Sequence, residues 1–240
     1  MRTLFVVLVV LAAVVLALPY LVLPTFFESL VARDVQSRLG LDEAPAVELQ
    51  SDPQWEMLLG EFSGGRISAR DLELGGVAAR SAAIDVDRPF SIDVPASVGN
   101  RVIVPEGGIS GRLRLEIPGS EVSRLVRSNT SVPVNGVELR NDGVRIDSET
   151  TALGTTIPIS VEGDLGVSGG DLAFEPRTLE AAGTPVPDFL ADDLLAGSGF
   201  SYPLDELPYG ATITGVESVP GAVVLTGRVS DVDLGAPPAG

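Results

Sequence analysis

The chain has 240 residues, of which 45% are hydrophobic and 20% charged, so its length and composition suit one or two globular domains. Its 16 basic residues are all arginine, and 33 acidic residues bring the net charge to −17. The sequence contains no lysine, histidine or cysteine. These absences exclude Schiff-base chemistry, nucleophilic catalysis by a Ser/His/Asp or Cys/His arrangement, disulfides and a Cys/His zinc site. The acidic balance also argues against nucleic acid as a partner, because binding by counterion release needs a basic surface.

The first feature in chain order is an apolar run from Leu4 to Leu23, in which the Tyr20 hydroxyl is the only polar side-chain group. As a helix, this run would be about 30 Å long, which matches the hydrocarbon core of a bilayer. Because Arg2 precedes the run, we predict a membrane anchor with its N terminus in the cytoplasm and the rest of the chain on the extracytoplasmic side. A cleaved signal peptide ending near Ala17 is the alternative, and the protein would then be secreted.

An amphipathic helix is predicted from Phe26 to Leu39. Apolar residues recur there at helical spacing, and polar residues, among them Asp34, occupy the other side. Gly40 is expected to end this helix.

Three further helices are predicted. Asp52 and Pro53 provide an N-cap and a first-turn proline for a short helix that Gly60 closes. The other two are expected after Ser120, with Val122, Leu125 and Val126, and after Pro187, with Phe189, Leu190, Leu194 and Leu195.

Most of the remaining chain alternates apolar and polar residues with the period of two that is typical of strands. The clearest example is Ile109 to Ile117. A change of phase predicts a bulge near Arg70-Asp71. Hairpin turns are expected at Asn141-Asp142-Gly143 and at Pro220-Gly221. The other predicted strands contain Leu72 and Leu74, Ile84 and Val86, Val137 and Leu139, Val144 and Ile146, Ile157 to Val161 with a continuation to Val167, Thr212 to Val219, and Ala222 to Val229.

The order of elements predicts an α+β fold, because no stretch shows the strand–helix alternation of a parallel sheet. We expect one long curved antiparallel sheet wrapped on the amphipathic helix. The predicted organisation is an anchor over residues 1–24, a single extracytoplasmic domain over residues 25–234 and a disordered tail over residues 235–240.

Five short motifs follow one another after the apolar run: Gln54 to Gly60, Gly119 to Val122, Leu172 to Pro176, Val186 to Leu190, and Leu204 to Gly210. This series resembles the LmeA-like phospholipid-binding proteins, a bacterial family formerly classed as a domain of unknown function. The resemblance covers Phe26 to Leu234, nearly the whole region after the apolar run. It implies an envelope protein with a tubular lipid-binding fold that holds phospholipid in an elongated apolar tunnel, with a role in lipid or glycolipid assembly. It supplies no catalytic residues and no cofactor.

Apolar faces of the predicted helices and strands are the candidate lipid-binding surface, and four arginines are candidates for contact with a lipid phosphate. A packed core and a solvated strand face are the simpler interpretations of the same residues. The candidate apolar residues are Phe27, Leu30, Val31, Val35, Leu72, Leu74, Ile84, Val86, Leu113, Leu115, Ile117, Ile157, Ile159, Phe189, Leu190 and Leu194. The candidate head-group contacts are Arg66, Arg70, Arg112 and Arg114.

Net charge bears on how such a protein would reach a membrane. The region after the apolar run holds 15 arginines and 33 acidic residues, a charge of −18. Anionic lipid surfaces repel such a region, so the anchor would have to supply membrane proximity.

Two other functions stay open. The protein could be a passive envelope scaffold with a solid core that binds other proteins. It could also be a carboxylate-dependent hydrolase, since strand pairs such as Asp85 with Asp87 and Asp231 with Asp233 share a face. The same pairs, and Asp188 with Asp192 and Asp193, could gather calcium, although no EF-hand loop motif is present. We expect a non-catalytic protein without metal or cofactor.

Overall fold

The computed structural model describes residues 23–74, 76–100, 103–130, 133–141, 143–152, 155–187, 191, 195, 199–203, 207 and 210–232. Residues 4–22 of the predicted anchor, most of the fourth predicted helix with Phe189, Leu190 and Leu194, and the tail lie outside these ranges. Among the described residues, no helix is both long enough and apolar enough to cross a membrane.

The first predicted helix is confirmed as α1, Leu23–Leu39. It ends at Gly40, which has a φ of +61°. The Leu41 N–H donates to the Gln36 carbonyl at 3.1 Å, a bond that satisfies one of the last carbonyls of the helix.

The second predicted helix is a 3₁₀ helix, Gln54–Leu59, and the expected N-cap at Asp52 is wrong. Pro53 occupies the cap position with an extended backbone, and no side chain caps the helix. The Glu56 N–H donates to the Pro53 carbonyl at 3.1 Å, the i to i+3 bond of a 3₁₀ turn. Gly60 closes the helix as predicted.

Two more helices follow. The unpredicted α2 spans Val94–Asn100, and α3 spans Gly119–Asn129 as expected. The strands are β1 Ala46–Gln50, β2 Glu61–Phe62, β3 Gly64–Leu74, β4 Val77–Val86, β5 Phe90–Ser91, β6 Ile109–Pro118, β7 Val134–Arg140, β8 Gly143–Ala152, β9 Thr155–Ser168, β10 Asp171–Ala181, β11 Thr184–Pro185, β12 Phe200–Tyr202, β13 Thr212–Val219 and β14 Ala222–Val232.

The fold is dominated by open antiparallel sheets, which confirms the α+β class. One sheet has the order β1-β3-β4-β6-β14-β13, and a second has the order β11-β10-β9-β8-β7 with β12 paired to β10. A two-stranded sheet joins β2 and β5. The strands therefore do not form the single sheet that we expected. After β6 the chain enters α3, the hairpin-linked strands β7 to β10 pair with one another, and the chain rejoins the first sheet at β13.

The described residues fall into two compact units. The first unit contains residues 23–69, 83–112 and 229–232, and the second contains Arg70–Ala82 and Leu113–Arg228. Strands β3, β4, β6 and β14 each contribute residues to both units. The single domain over residues 25–234 stays a prediction.

The core of the first unit forms around α1, which packs on β1 and on the 3₁₀ helix. The Phe27 ring lies edge-on to the Phe62 ring, with centroids 5.8 Å apart, and Phe62 stacks on Phe90 at 5.0 Å. Asp34, expected on the solvent side, is buried, and the bond that its Oδ2 accepts from Arg38 Nε at 2.9 Å compensates the carboxylate for the loss of water. The buried apolar side chains of this core are Phe27, Leu30, Val31, Val35, Met57, Phe62, Ile92 and Ile103.

The second unit confirms the predicted alternation of β6 and the apolar face of α3. The buried side chains are Leu113, Leu115 and Ile117 on β6 and Val122, Leu125 and Val126 on α3. Asp71 has a φ of +49°, so the backbone leaves the extended conformation where the sequence changes phase.

Replacing Gly60 with alanine tests how closely the first unit is packed around this residue. A Cβ at Gly60 would overlap the Ile92 carbonyl oxygen, and the φ of +80° at this position is unfavourable for alanine. We expect Gly60→Ala to lower the free energy of unfolding by about 3 kcal/mol.

Gly40→Ala is the matched control, because Gly40 also ends a helix at positive φ but, its two chain neighbours aside, no atom of the described residues lies within 4 Å of the place that the alanine methyl group would take. It should cost only about 1 kcal/mol. Urea unfolding of both variants measures the difference, and equal costs would contradict the close packing at Gly60.

Candidate functional site

Strand β9 in the second unit has one apolar face. Its alternate side chains are aliphatic, and the central Val161 is buried. The side chains toward both ends of the strand are only half-buried. We call this set the β9 apolar face: Ile157, Ile159, Val161, Leu165 and Val167.

Two elements of the same unit lie over the sheet that contains β9. Helix α3 packs on β7 and β12, and β13 packs on β9 and β7. The burial pattern of β9 leaves the exposure of its apolar face toward the two ends of the strand. Aliphatic side chains without a reactive group can hold a hydrocarbon chain by contact, but they supply no chemistry.

The opposite face of β9 is polar and centres on Arg145 of β8. The Arg145 guanidinium donates to Glu162 at 2.8 Å, to Ser160 at 2.9 Å and to Glu180 at 3.1 Å. Its bond to Glu162 is the main cause of an upward shift in the pKa of Arg145. Because these side chains satisfy one another, they form a stabilising network on this face.

Glu121 fixes α3 to the turn between β3 and β4. Its carboxylate is buried, and it accepts bonds from the Ala78 N–H at 3.0 Å and from Arg124 Nε at 2.9 Å. Arg124 in turn donates to the Gly76 carbonyl at 2.8 Å. The bond from Arg124 lowers the pKa of Glu121, and burial opposes that shift.

The candidate residues of α1 share one place in the structure, because Phe27, Leu30, Val31 and Val35 all lie in the packed core of the first unit. The strand candidates differ in exposure. Ile84 and Val86 in the first unit and Ile157 and Ile159 in the second are half-buried. The fully buried strand candidates, all in the second unit, are Leu72, Leu74, Leu113, Leu115 and Ile117.

The four candidate arginines have different surroundings. Arg66 forms an ion pair with Asp85 at 3.0 Å, and Arg112 forms one with Asp87 at 3.4 Å. Arg70 and Arg114 are exposed and have no ion pair within the described part of the second unit. These two guanidinium groups are therefore the better placed of the four to receive an external phosphate.

The same ion pairs also bear on the alternative interpretations of the acidic pairs as a hydrolase site or a calcium site. Asp85 and Asp87 each form an ion pair with an exposed arginine, so each carboxylate has a cationic partner. Asp188, Asp192, Asp193 and Asp233 lie outside the described residues. In the described ranges, acidic side chains form no group of three that could hold a metal ion.

Sequence reasoning missed two features. Val161, Leu165 and Val167 extend the β9 apolar face beyond the predicted candidates Ile157 and Ile159, and the alternation of apolar and polar residues along β9 could have identified all three. The first unit also displays exposed large apolar side chains, including Trp55, Leu58 and Leu59 of the 3₁₀ helix. Beside that helix lies a cleft of about 370 Å³ lined by Asp52, Glu56, Glu61, Phe62, Ser63, Pro89, Phe90 and Ser91.

A sheet-dominated fold with a half-open aliphatic strand face suits a protein that binds apolar ligands. The sequence model of the LmeA-like phospholipid-binding family matches residues 20–228, most of the chain. The chain belongs to this family. Comparison with curated proteins and comparison with solved structures gave no match.

Glu121 should make stability depend on pH. Its folded-state pKa is below the ordinary value of 4.5, so its contribution is complete above that value and is lost as the pH falls through the lowered pKa. We expect Glu121→Gln to lose about 2 kcal/mol at pH 7 and to converge with the wild type in acid.

Glu138→Gln is the control, because Glu138 also pairs with an arginine, Arg140, but is well exposed. Its loss should be clearly smaller than that of Glu121→Gln, because solvent screens an exposed ion pair. Chemical denaturation from pH 3 to pH 7 measures all three proteins, and a constant gap between Glu121→Gln and the wild type would contradict the assignment.

Proposed function

We propose that this protein is a non-catalytic, membrane-tethered extracytoplasmic protein that binds phospholipid acyl chains along apolar strand faces and takes part in envelope lipid assembly. Membership of a phospholipid-binding family is the observation that carries the proposal. The half-buried ends of the β9 apolar face support it, because they offer aliphatic surface that protein atoms do not fully cover. In this proposal a bound acyl chain follows an elongated groove, as expected for a tubular lipid-binding protein.

The free energy of acyl-chain burial shows why the protein needs extensive apolar contacts with a bound lipid. Burying about fifteen methylenes is worth roughly 12 kcal/mol relative to water. A bilayer already provides that burial, so the protein must match its apolar contacts and add contacts to the head group. Arg70 and Arg114 belong to the same unit as β9 and are exposed, which makes them the proposed phosphate contacts.

The proposed tether rests on the apolar run from Leu4 to Leu23 and on the charge of the region that follows it. That region carries −18, so anionic lipid surfaces repel it. A tether would keep it at the membrane despite this repulsion, by raising its effective concentration there.

Photolabelling tests lipid binding directly. The full chain is reconstituted in phosphatidylcholine vesicles that contain a phospholipid with a diazirine in its acyl chain. Trypsin cleaves after arginine, so all of β9 falls in the peptide Ile146 to Arg177. We expect label in this peptide, separate from label in the anchor, and a reduction of about tenfold in Ile157→Asn combined with Ile159→Asn.

Thr156→Asn is the matched control, because Thr156 is exposed on the opposite face of the same strand. Its labelling should equal that of the wild type. Equal labelling of the Ile157 and Ile159 double variant would refute the role of β9. Label confined to the anchor peptide would refute lipid binding by the rest of the chain and favour the scaffold alternative.

A further inference from the structure

The exposed large apolar side chains are unevenly distributed. Among the described residues, all five lie in the first unit: Phe26, Trp55, Leu58, Leu59 and Val98. Three of them belong to one six-residue 3₁₀ helix, with exposures of 48% for Trp55, 48% for Leu58 and 61% for Leu59. We call these three side chains the apolar patch.

The apolar patch is held on a fixed support. Met57, in the same helix, is 2% exposed and lies in the core with Phe27 of α1. At the end of the helix, the Gly60 carbonyl accepts a bond from the Ile92 N–H at 2.9 Å. Trp55 and Leu58 are three residues apart, the spacing that places two side chains on one side of a 3₁₀ helix. The patch is therefore a preformed surface.

The other two exposed residues lie on elements that adjoin this helix. Phe26 is in the first turn of α1, and its ring contacts Phe27 with centroids 5.6 Å apart. Val98 is in α2, whose Val94 approaches within 2.9 Å of where a Cβ on Gly60 would be. Exposed apolar side chains are thus present on the 3₁₀ helix and on two helices that lie next to it.

We propose that the apolar patch seats the first unit on the surface of the lipid bilayer. The position of α1 favours a bilayer over a protein partner: Leu23, the first described residue of α1, is the last residue of the apolar run, and Phe26 follows three residues later. A tryptophan with leucines and a phenylalanine is the composition that inserts at a membrane interface.

The charged side chains around the apolar patch determine which lipid head groups it can contact. Asp52, Glu56 and Glu61 line the adjoining cleft, and the described part of the 3₁₀ helix carries no cation. Carboxylates at this position disfavour anionic lipids and tolerate the trimethylammonium group of phosphatidylcholine. The proposed contact is therefore with a zwitterionic bilayer surface.

The chain has a single tryptophan, so Trp55 reports on the patch alone. The full chain is reconstituted in phosphatidylcholine vesicles that contain acyl-brominated phosphatidylcholine. We expect the bromolipid to quench Trp55 and the vesicles to protect it from acrylamide. Leu58→Ser combined with Leu59→Ser should abolish the bromolipid quenching and restore acrylamide access, while flotation with the vesicles is retained through the anchor.

Gln54→Ser, at an exposed polar position of the same helix, should leave both forms of quenching unchanged. Trp55 that is open to acrylamide in floated protein would overturn the proposal. So would Trp55 that is protected from acrylamide but not quenched by bromolipid, because a second copy or another protein would then cover the patch.

This inference rests on the proposed tether, and the measurements separate the two. Flotation reports the tether, diazirine labelling of β9 reports lipid binding, and Trp55 quenching reports the apolar patch. Protein that fails to float would overturn both the tether and the seating on the bilayer.

Discussion

Apolar and polar side chains alternate along β9, so one face of the strand packs by apolar contact and the opposite face forms hydrogen bonds and ion pairs. On one side the aliphatic side chains gain from leaving water, and on the other Glu162 and Ser160 bond to the Arg145 guanidinium. A shift of one residue in the pairing of β8 with β9 would exchange these sides and bury the charges. The charge network therefore fixes the register that presents the apolar face, and it does so without occupying that face.

The two units use their apolar surface differently. In the first unit the face of α1 is closed by aromatic packing of Phe27 on Phe62 and Phe62 on Phe90. In the second unit small aliphatic side chains dominate β9, and its ends stay half open. Among the described residues, the stacked rings of Phe174 and Phe200 lie toward the Leu165 end of this face, because Phe174 pairs with Leu165. Rings fill space that branched aliphatic residues leave available, so the Ile157 end is the better place for a flexible chain.

Sequence periodicity predicted the elements whose pattern is local and strong, such as α1, β6 and the β7–β8 hairpin. It missed β10, where Pro176 interrupts the alternation and the register with β9 shifts between Pro176 and Thr178. It also missed α2, which has no apolar period and begins where Asp93 caps the Ala96 N–H at 2.8 Å. The sequence pattern was sufficient to predict which side of a helix or strand is apolar. Whether each became core or open surface depended on long-range packing that no local pattern contains.

The strand order of the first sheet has a consequence for biogenesis. Strand β14 lies between β6 and β13, and about a hundred residues separate the end of β6 from the start of β14. During synthesis, one edge of β6 has no partner until β14 has emerged about a hundred residues later. Unpaired strand edges promote aggregation, so this protein should depend on chaperones during that interval more than a protein whose strands pair in order of synthesis.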